Sequence, residues 1–253
     1  MENYLELKDL AKSYGNREAV RGISLSIPQG QIVGLLGPNG AGKSTTIAML
    51  TGLLSPTSGE VQWEGRSIQD DLVRWRRSLG TVLEELSLFE HLTVREHLGL
   101  MGRLAGLDAS QTDRRSAELL AFFQLGPFED TLALEASQGT RKKLAFALGL
   151  IHGPRVLLLD EAFNGIDAIT VRDLKRLIRE LAATGVTVIL SSHVLDSAET
   201  LIDRCVIVDQ GRIVYDRPME TVRASGRSLE DLYSSVLFGE TRVSPILSWV
   251  ARS

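Results

Sequence analysis

Gly37-Pro38-Asn39-Gly40-Ala41-Gly42-Lys43-Ser44-Thr45 decides how this chain is read. The run directly follows an apolar stretch, Ile32-Val33-Gly34-Leu35-Leu36, and opens a segment from Thr45 to Leu50 with helical composition, so the order is strand, glycine turn, helix. In that context the spacing G-x-x-x-x-G-K-[ST] is a phosphate-binding P-loop. Gly37, Gly40 and Gly42 permit backbone angles that a Cβ would forbid, so successive N–H groups turn inward on phosphate oxygens at the positive end of a helix. Lys43 supplies a point charge for the β- and γ-phosphates, and the Ser44 hydroxyl is placed to ligate magnesium. The bland alternative is a glycine-rich turn without chemistry.

The rest of the chain is ordinary in composition. Its 253 residues suffice for one large domain or two small ones with a substantial core. Charged residues make up 24% and the net charge is −4, which points away from a nucleic-acid partner and from a disordered tail. Cys205 is the one cysteine, so no internal disulfide and no zinc cluster is expected, in keeping with a reducing compartment. The first residues show no basic region followed by an apolar core, and no apolar run approaches the roughly 20 residues of a membrane span. Without internal repeats or a long linker, a single domain over residues 1–240 with a tail at 241–253 is the simplest organisation.

Outward from the loop, Tyr4 to Leu7 and Ile23 to Ile27 alternate as half-buried strands, leading into the P-loop strand. Tyr14, between them and before Gly15, stacks on a base or simply packs. Glu60 to Trp63 returns as a strand. Asp70 to Ser78 is expected to be a short helix whose Arg74, Arg76 and Arg77 form a solvated face. Residues 79–83 make another strand that runs into Glu84 and Glu85. Thr93 and Glu96 have the form of a capping box, and an all-helical insert follows, about residues 86–150 in all. Within it, Arg141, Lys142 and Lys143 occupy the first turn of a helix, where the dipole disfavours cations. They are either a solvated basic face, the preferred reading, or a sign that an anion approaches this helix start.

Val156 to Leu159 is a fully apolar strand ending in Asp160 and Glu161. Strands buried on both sides belong to parallel sheets, whose ligands bind at the carboxyl ends, so Asp160 is expected beside the P-loop as a magnesium ligand. Glu161 can then act as base on a water aligned with the γ-phosphate. A helix from Asp167 to Ala183 and a strand at residues 187–190 follow. That strand ends in Ser191-Ser192-His193, which puts the imidazole on the same rim, in a polar catalytic role. A hairpin turned by Gln210-Gly211 and two short helices complete an α/β fold with a mainly parallel sheet, an N-terminal antiparallel subdomain and the helical insert.

These segments, about residues 4 to 238, resemble the ATP-binding subunit of ABC transporters. The resemblance implies that Gly37, Pro38, Asn39, Gly40, Ala41, Gly42, Lys43, Ser44 and Thr45 bind ATP, that Val156 to Asp160 is the Walker B strand, and that Glu161 is the catalytic glutamate. It likewise makes Asn164 to Asp167 the D-loop, His193 the switch histidine and Tyr14 the adenine-stacking aromatic. The signature Leu-Ser-Gly-Gly-Gln stands here as Ala136-Ser137-Gln138-Gly139-Thr140, keeping Ser137 and Gly139 as γ-phosphate contacts. At the Q-loop, Glu84 replaces the expected glutamine, which keeps an oxygen for Mg2+ but adds a charge and removes a donor. Both departures resemble ATPases paired with exporters.

The resemblance further implies ATP and Mg2+ as cofactors and head-to-tail pairing with a second copy or a paralogous ATPase subunit. It also implies an integral-membrane permease docking around Leu88 to Leu98, and a place at the cytoplasmic face of the cell membrane. The alternative is a soluble ABC-type ATPase acting as an assembly factor, of the iron-sulfur assembly type.

Overall fold

The computed structural model describes residues 4–239, so the expected tail at 241–253 lies outside the described residues. The chain begins with an antiparallel hairpin of β1 (Leu5–Tyr14) and β2 (Arg17–Ile27). Both strands are longer than their alternation suggests. Between Leu7 and Leu10 the register shifts at Asp9, whose positive φ is held by hydrogen bonds to the Ser24 side chain, so a bulge carries the strand past the point where its pattern breaks. As a result Tyr14 is the last residue of β1 and not part of an intervening loop.

β3 (Ile32–Leu36) has the expected bounds, and α1 (Lys43–Leu50) follows it, starting two residues before the expected Thr45. Then come β4 (Ser58–Trp63), β5 (Arg66–Ser67), α2 (Leu72–Ser78) and β6 (Leu79–Val82). The arginines of α2 are not merely solvated. Arg74 pairs with Glu64 at 2.7 Å and covers the Trp63 ring, and Arg76 donates to the Gly52 carbonyl at 2.7 Å. Both join α2 to neighbours distant in sequence, which a helical periodicity cannot reveal.

The helical insert contains α3 (Val94–Leu104), α4 (Ala109–Phe122) and α5 (Gln138–Leu150). Thr93 and Glu96 form the capping box, each side chain bonded to the other's backbone N–H. The chain returns to the sheet through β7 (Val156–Asp160), α6 (Ala168–Ala183) and β8 (Thr187–Ser192). After α7 (Leu195–Glu199), which the sequence pattern does not announce, come β9 (Arg204–Asp209), β10 (Arg212–Pro218), α8 (Met219–Ala224) and α9 (Leu229–Phe238).

Two sheets result. The antiparallel one has the order β2-β1-β4-β5; the other has the order β10-β9-β3-β8-β7-β6 and is parallel apart from its β10 edge. Its strands are apolar on both faces because each face meets a separate core. Ile32 and Leu36 point into one core with Leu157, Leu159, Val188 and Leu190, on the side of the helical insert. Val33 and Leu35 point into the other with Leu158, Ile189 and Val206, beneath the antiparallel sheet and α1. No helix among the described residues is long and apolar enough to cross a membrane.

Helix α5 packs closely against β6: a Cβ on Gly80 would run into the Gly149 carbonyl, and one on Gly149 would lie 3.1 Å from the Thr81 carbonyl. Gly80→Ala should therefore cost about 1–3 kcal/mol, as overpacking against backbone does, and lower the thermal midpoint; an unchanged midpoint would show that α5 can move off the sheet freely.

Candidate active site

The parallel registers bring three strand ends to one rim. Leu36 at the end of β3 lies beside Ser192 of β8, and Asp160 at the end of β7 lies beside Ser191. Residues 37–42 then wrap over the rim before α1. Gly42 is the N-cap of α1 with φ 106°, and a Cβ there would lie 2.5 Å from the Ala19 carbonyl. A Cβ on Gly37 would strike the Val208 carbonyl, so the loop is pinned against β9 as well. Ala41 is buried, its N–H donating to Pro38 and its carbonyl accepting from Gly211.

A cavity of ≈ 390 Å³ opens above this rim. One wall is Asn39, Gly40, Gly42, Lys43, Ser44 and Thr45; Glu84, Glu161 and His193 face it, and Arg17 and Ala19 close the edge. Lys43 is buried and folded back on its own loop, donating to the carbonyls of Gly37 at 2.8 Å and Pro38 at 3.2 Å. Burial pushes its pKa down, while the carboxylates of Glu161, Asp160 and Glu84 push it back up.

Glu161 is a non-glycine residue at φ 47°, a strained conformation of the kind that collects at functional sites. Its backbone N–H donates to the Ser191 carbonyl at 3.2 Å, and its side chain is held from both sides. His193 Nδ1 donates to one carboxylate oxygen at 2.8 Å, and Asn164 Nδ2 donates to the other at 3.4 Å. Glu161 is buried whereas the His193 side chain is 47% exposed, so the carboxylate lies beneath an imidazole open to solvent. Asp160 is buried just below the cavity and accepts from the Ser191 hydroxyl.

Of the expected residues, Gly37, Pro38, Ala41 and Asp160 lie behind the cavity lining, and three others stand away from it. Tyr14 is 52% exposed at the end of its strand, under the Lys12 ammonium at 5.5 Å, and does not line it. Nor do Ser137 and Gly139. Ser137 is exposed and caps α5 by accepting from the Thr140 N–H at 3.2 Å. The basic triplet that follows is not a solvated face. Lys142 is buried and donates to the Leu83 carbonyl at 3.4 Å, and Lys143 pairs with Asp167 at 3.3 Å. That Asp167 carboxyl, the N-cap of α6, sits at a pKa of about 2, chiefly because it accepts the Thr170 N–H. The partners of both lysines are remote in sequence, which is why position on a helix alone suggested solvent.

A second, more apolar cavity of ≈ 220 Å³ lies where the helical insert meets β6, lined by Leu83, Leu86, Leu88, Met101 and Leu148 among others. Of the stretch from Leu88 to Leu98, only Leu88 lines it; Phe89 beside it is 60% exposed, and Val94 and Leu98 are committed to the insert's core. Arg17 is a cavity residue that sequence reasoning missed, and Ser191, expected at the rim, has Asp160 as a partner that its position in the chain did not foretell. Arg17 follows the turn at Gly15 in the same hairpin as Tyr14, which was the available signal.

Similarity to known proteins agrees with this geometry. The profile of the family described as ABC transporter matches residues 20–164. The lantibiotic transport ATP-binding protein SrtF of Streptococcus pyogenes is 33% identical over 94% of this chain and 99% of its own length. The Nod factor export ATP-binding protein I of Ralstonia nicotianae is 37% identical over 86% of this chain and 68% of its own. A dimeric ATP-binding cassette in a post-hydrolysis state, bound to ADP and Pi, superposes with a TM-score of 0.77 at 26% identity, covering 85% of this chain and 98% of that one.

If the backbone of residues 37–42 is the cradle, Gly42→Ala should distort it through both the positive φ and the Ala19 carbonyl. Strain of the order of 1–3 kcal/mol corresponds to a loss of ATP affinity of about five- to 150-fold. Fluorescence titration with a nucleotide analogue measures this, and wild-type affinity would show that the loop tolerates a Cβ.

Proposed function

The chain belongs to the ABC transporter family as an ATP-hydrolysing, nucleotide-binding subunit, and we propose that it dimerises on ATP and drives a separate integral-membrane permease in the export direction. We further read residues 1–240 as one nucleotide-binding domain with its helical subdomain at about 86–150. The core shared by the insert and the main sheet supports that division.

The observation that carries the reading is the Glu161–His193 pair facing Lys43 across the cavity. ATP places its triphosphate along residues 37–45, and Lys43 exchanges the Gly37 and Pro38 carbonyls for phosphate oxygens. Glu161, oriented by His193 and Asn164, takes the proton from the attacking water, while the loop amides and the lysine stabilise charge gathering on the γ-phosphoryl oxygens. Tyr14 would stack on adenine from the edge of the hairpin.

Ser44, Asp160 and Glu84 are suited to hold Mg2+, because a hydroxyl and one or two carboxylates are the donors it takes alongside phosphates and water. Among the described residues no group of three or more His, Cys, Asp or Glu could hold a metal by itself, so this cation would arrive with its nucleotide. When bound it supplies charge neutralisation at the β- and γ-oxygens.

Ser137 and Gly139 stand exposed and half-buried on the surface and away from their own chain's cavity, which suits contact with ATP held by a second copy or a paralogous subunit. The dimeric relative supports the pairing. For the permease we favour the groove at Leu83 to Phe89 over the later part of the Leu88 to Leu98 stretch, with the subunit held at the cytoplasmic face of the membrane. The export direction draws on Glu84, on Gln138 in the signature and on the Ralstonia relative's name.

Glu161→Gln should lower kcat by about a hundredfold or more, as loss of a general base does, while ATP binding persists; Lys43→Ala should abolish binding itself. Near-wild-type turnover in the glutamine variant would remove Glu161 from the mechanism. Mild-detergent extraction from native membranes should recover the chain with an integral protein, and repeated recovery alone would favour the permease-free ATPase.

A further inference from the structure

His97 is a buried histidine that the hydrolysis of ATP does not use. It stands at the end of the first turn of α3, 2% exposed, with both ring nitrogens engaged. The Phe89 N–H donates to its Nε2 at 3.0 Å, so that nitrogen carries no proton; Nδ1 is then the protonated one and donates to the Thr93 carbonyl at 2.8 Å. These two bonds fix one tautomer and one orientation of the ring. Thr93 is itself held by the capping box, its N–H on the Glu96 carboxylate and its hydroxyl on the Glu96 N–H, so the imidazole hangs from an anchored helix start.

Phe89 is fixed at its backbone and exposed at its side chain. Its N–H goes to His97, its carbonyl accepts from the Leu92 N–H at 3.0 Å, and its ring is 60% exposed with its centroid 6.1 Å from that of the imidazole. An aromatic whose backbone is already ordered loses little freedom on being covered, which is what a binding anchor requires. Its neighbour Leu88 lines the apolar groove where the helical insert meets β6, together with Leu86, Met101 and Leu148. Glu85 lines the same groove, and Glu90 is exposed beside Phe89. The surface therefore fits a segment with an apolar face flanked by Lys or Arg. Cytoplasmic loops of membrane proteins carry that excess of basic residues.

We infer that His97 is a positioning residue for the permease: it clamps the Phe89 backbone, so that the Phe89 ring is presented at the mouth of the groove as the anchor for a basic, amphipathic cytoplasmic segment of the membrane subunit. This rests on the permease reading above. In a histidine buried only for packing, replacement by an apolar side chain of similar volume would leave the Phe89 amide as it was.

Two measurements test this. Amide hydrogen exchange on the chain alone should show the Phe89 N–H exchanging about tenfold faster in His97→Leu, which removes the acceptor, and near the wild-type rate in His97→Gln, whose Oε1 can take the place of Nε2. Recovery of the integral protein in mild-detergent extracts of native membranes should fall about tenfold or more with Phe89→Ala and with His97→Leu, and return with His97→Gln. An unchanged Phe89 amide in His97→Leu, full recovery with Phe89→Ala, or a second copy of this chain seated on the groove in place of a membrane protein would overturn the proposal. The exchange arm needs no permease: if the wild-type chain recovers no integral protein while His97→Leu still frees the amide, the permease reading has failed and the clamp has not. If His97→Leu does not fold, Phe89→Ala, at an exposed position, still decides.

Discussion

Strand β8 hydrogen-bonds to β3 on one side and to β7 on the other, and these two parallel registers decide where every charged group at the rim can be. With Leu36 beside Ser192 and Asp160 beside Ser191, the P-loop, the two acidic residues and His193 leave the sheet at one level. A slip by one residue would turn each strand's apolar set to the opposite face. All of β8 is buried, and Val188 and Leu190 in one core are flanked by Thr187 and Ser191, so such a slip would set a hydroxyl in the place of a core side chain. The arrangement of the site is thus a consequence of packing far below it.

On that platform the site gathers charges that water would otherwise solvate. Lys43 and Lys142 are both buried; burial pushes their pKa values down, and the charges of Glu84, Asp160 and Glu161 push them back up. Lys43 keeps its protons occupied on two loop carbonyls, and Glu161 sits in a strained backbone conformation with its oxygens held by His193 and Asn164. The Glu161 carboxylate is thus held in place by its own neighbours, which lowers the reorganisation it needs at the moment of reaction. The surface at Ser137 stands apart from the cavity of its own chain, in keeping with the dimeric state of a structural relative.

Much of the local structure was legible along the chain. The strand at residues 32–36, the capping box of Thr93 and Glu96 and the turn at Gln210-Gly211 depend on neighbours within a few residues, and the structure has them where the pattern puts them. Misreadings arose where a partner was distant. Asp9 breaks the alternation of β1, and its bonds to Ser24 on the next strand carry the bulge. Lys142 finds Leu83, in a connection remote in sequence, while Arg74 and Arg76 stay exposed as expected and also reach Glu64 and Gly52 in other connections.

The amino-acid order by itself determined the glycine cradle, the apolar strands that must be buried on both faces, and hence a parallel sheet with its chemistry at the carboxyl ends. These follow from backbone sterics and from hydrophobic periodicity, which act over short stretches of chain. Tertiary structure alone decided that Ser191 would hold Asp160, that Arg17 would edge the cavity, that Val94 and Leu98 would be lost to the core, and that a lysine on a helix start would be buried on the Leu83 carbonyl and not in water. Electrostatic partners and burial depend on distance in space, and the fold sets those distances only after the strands have found their order.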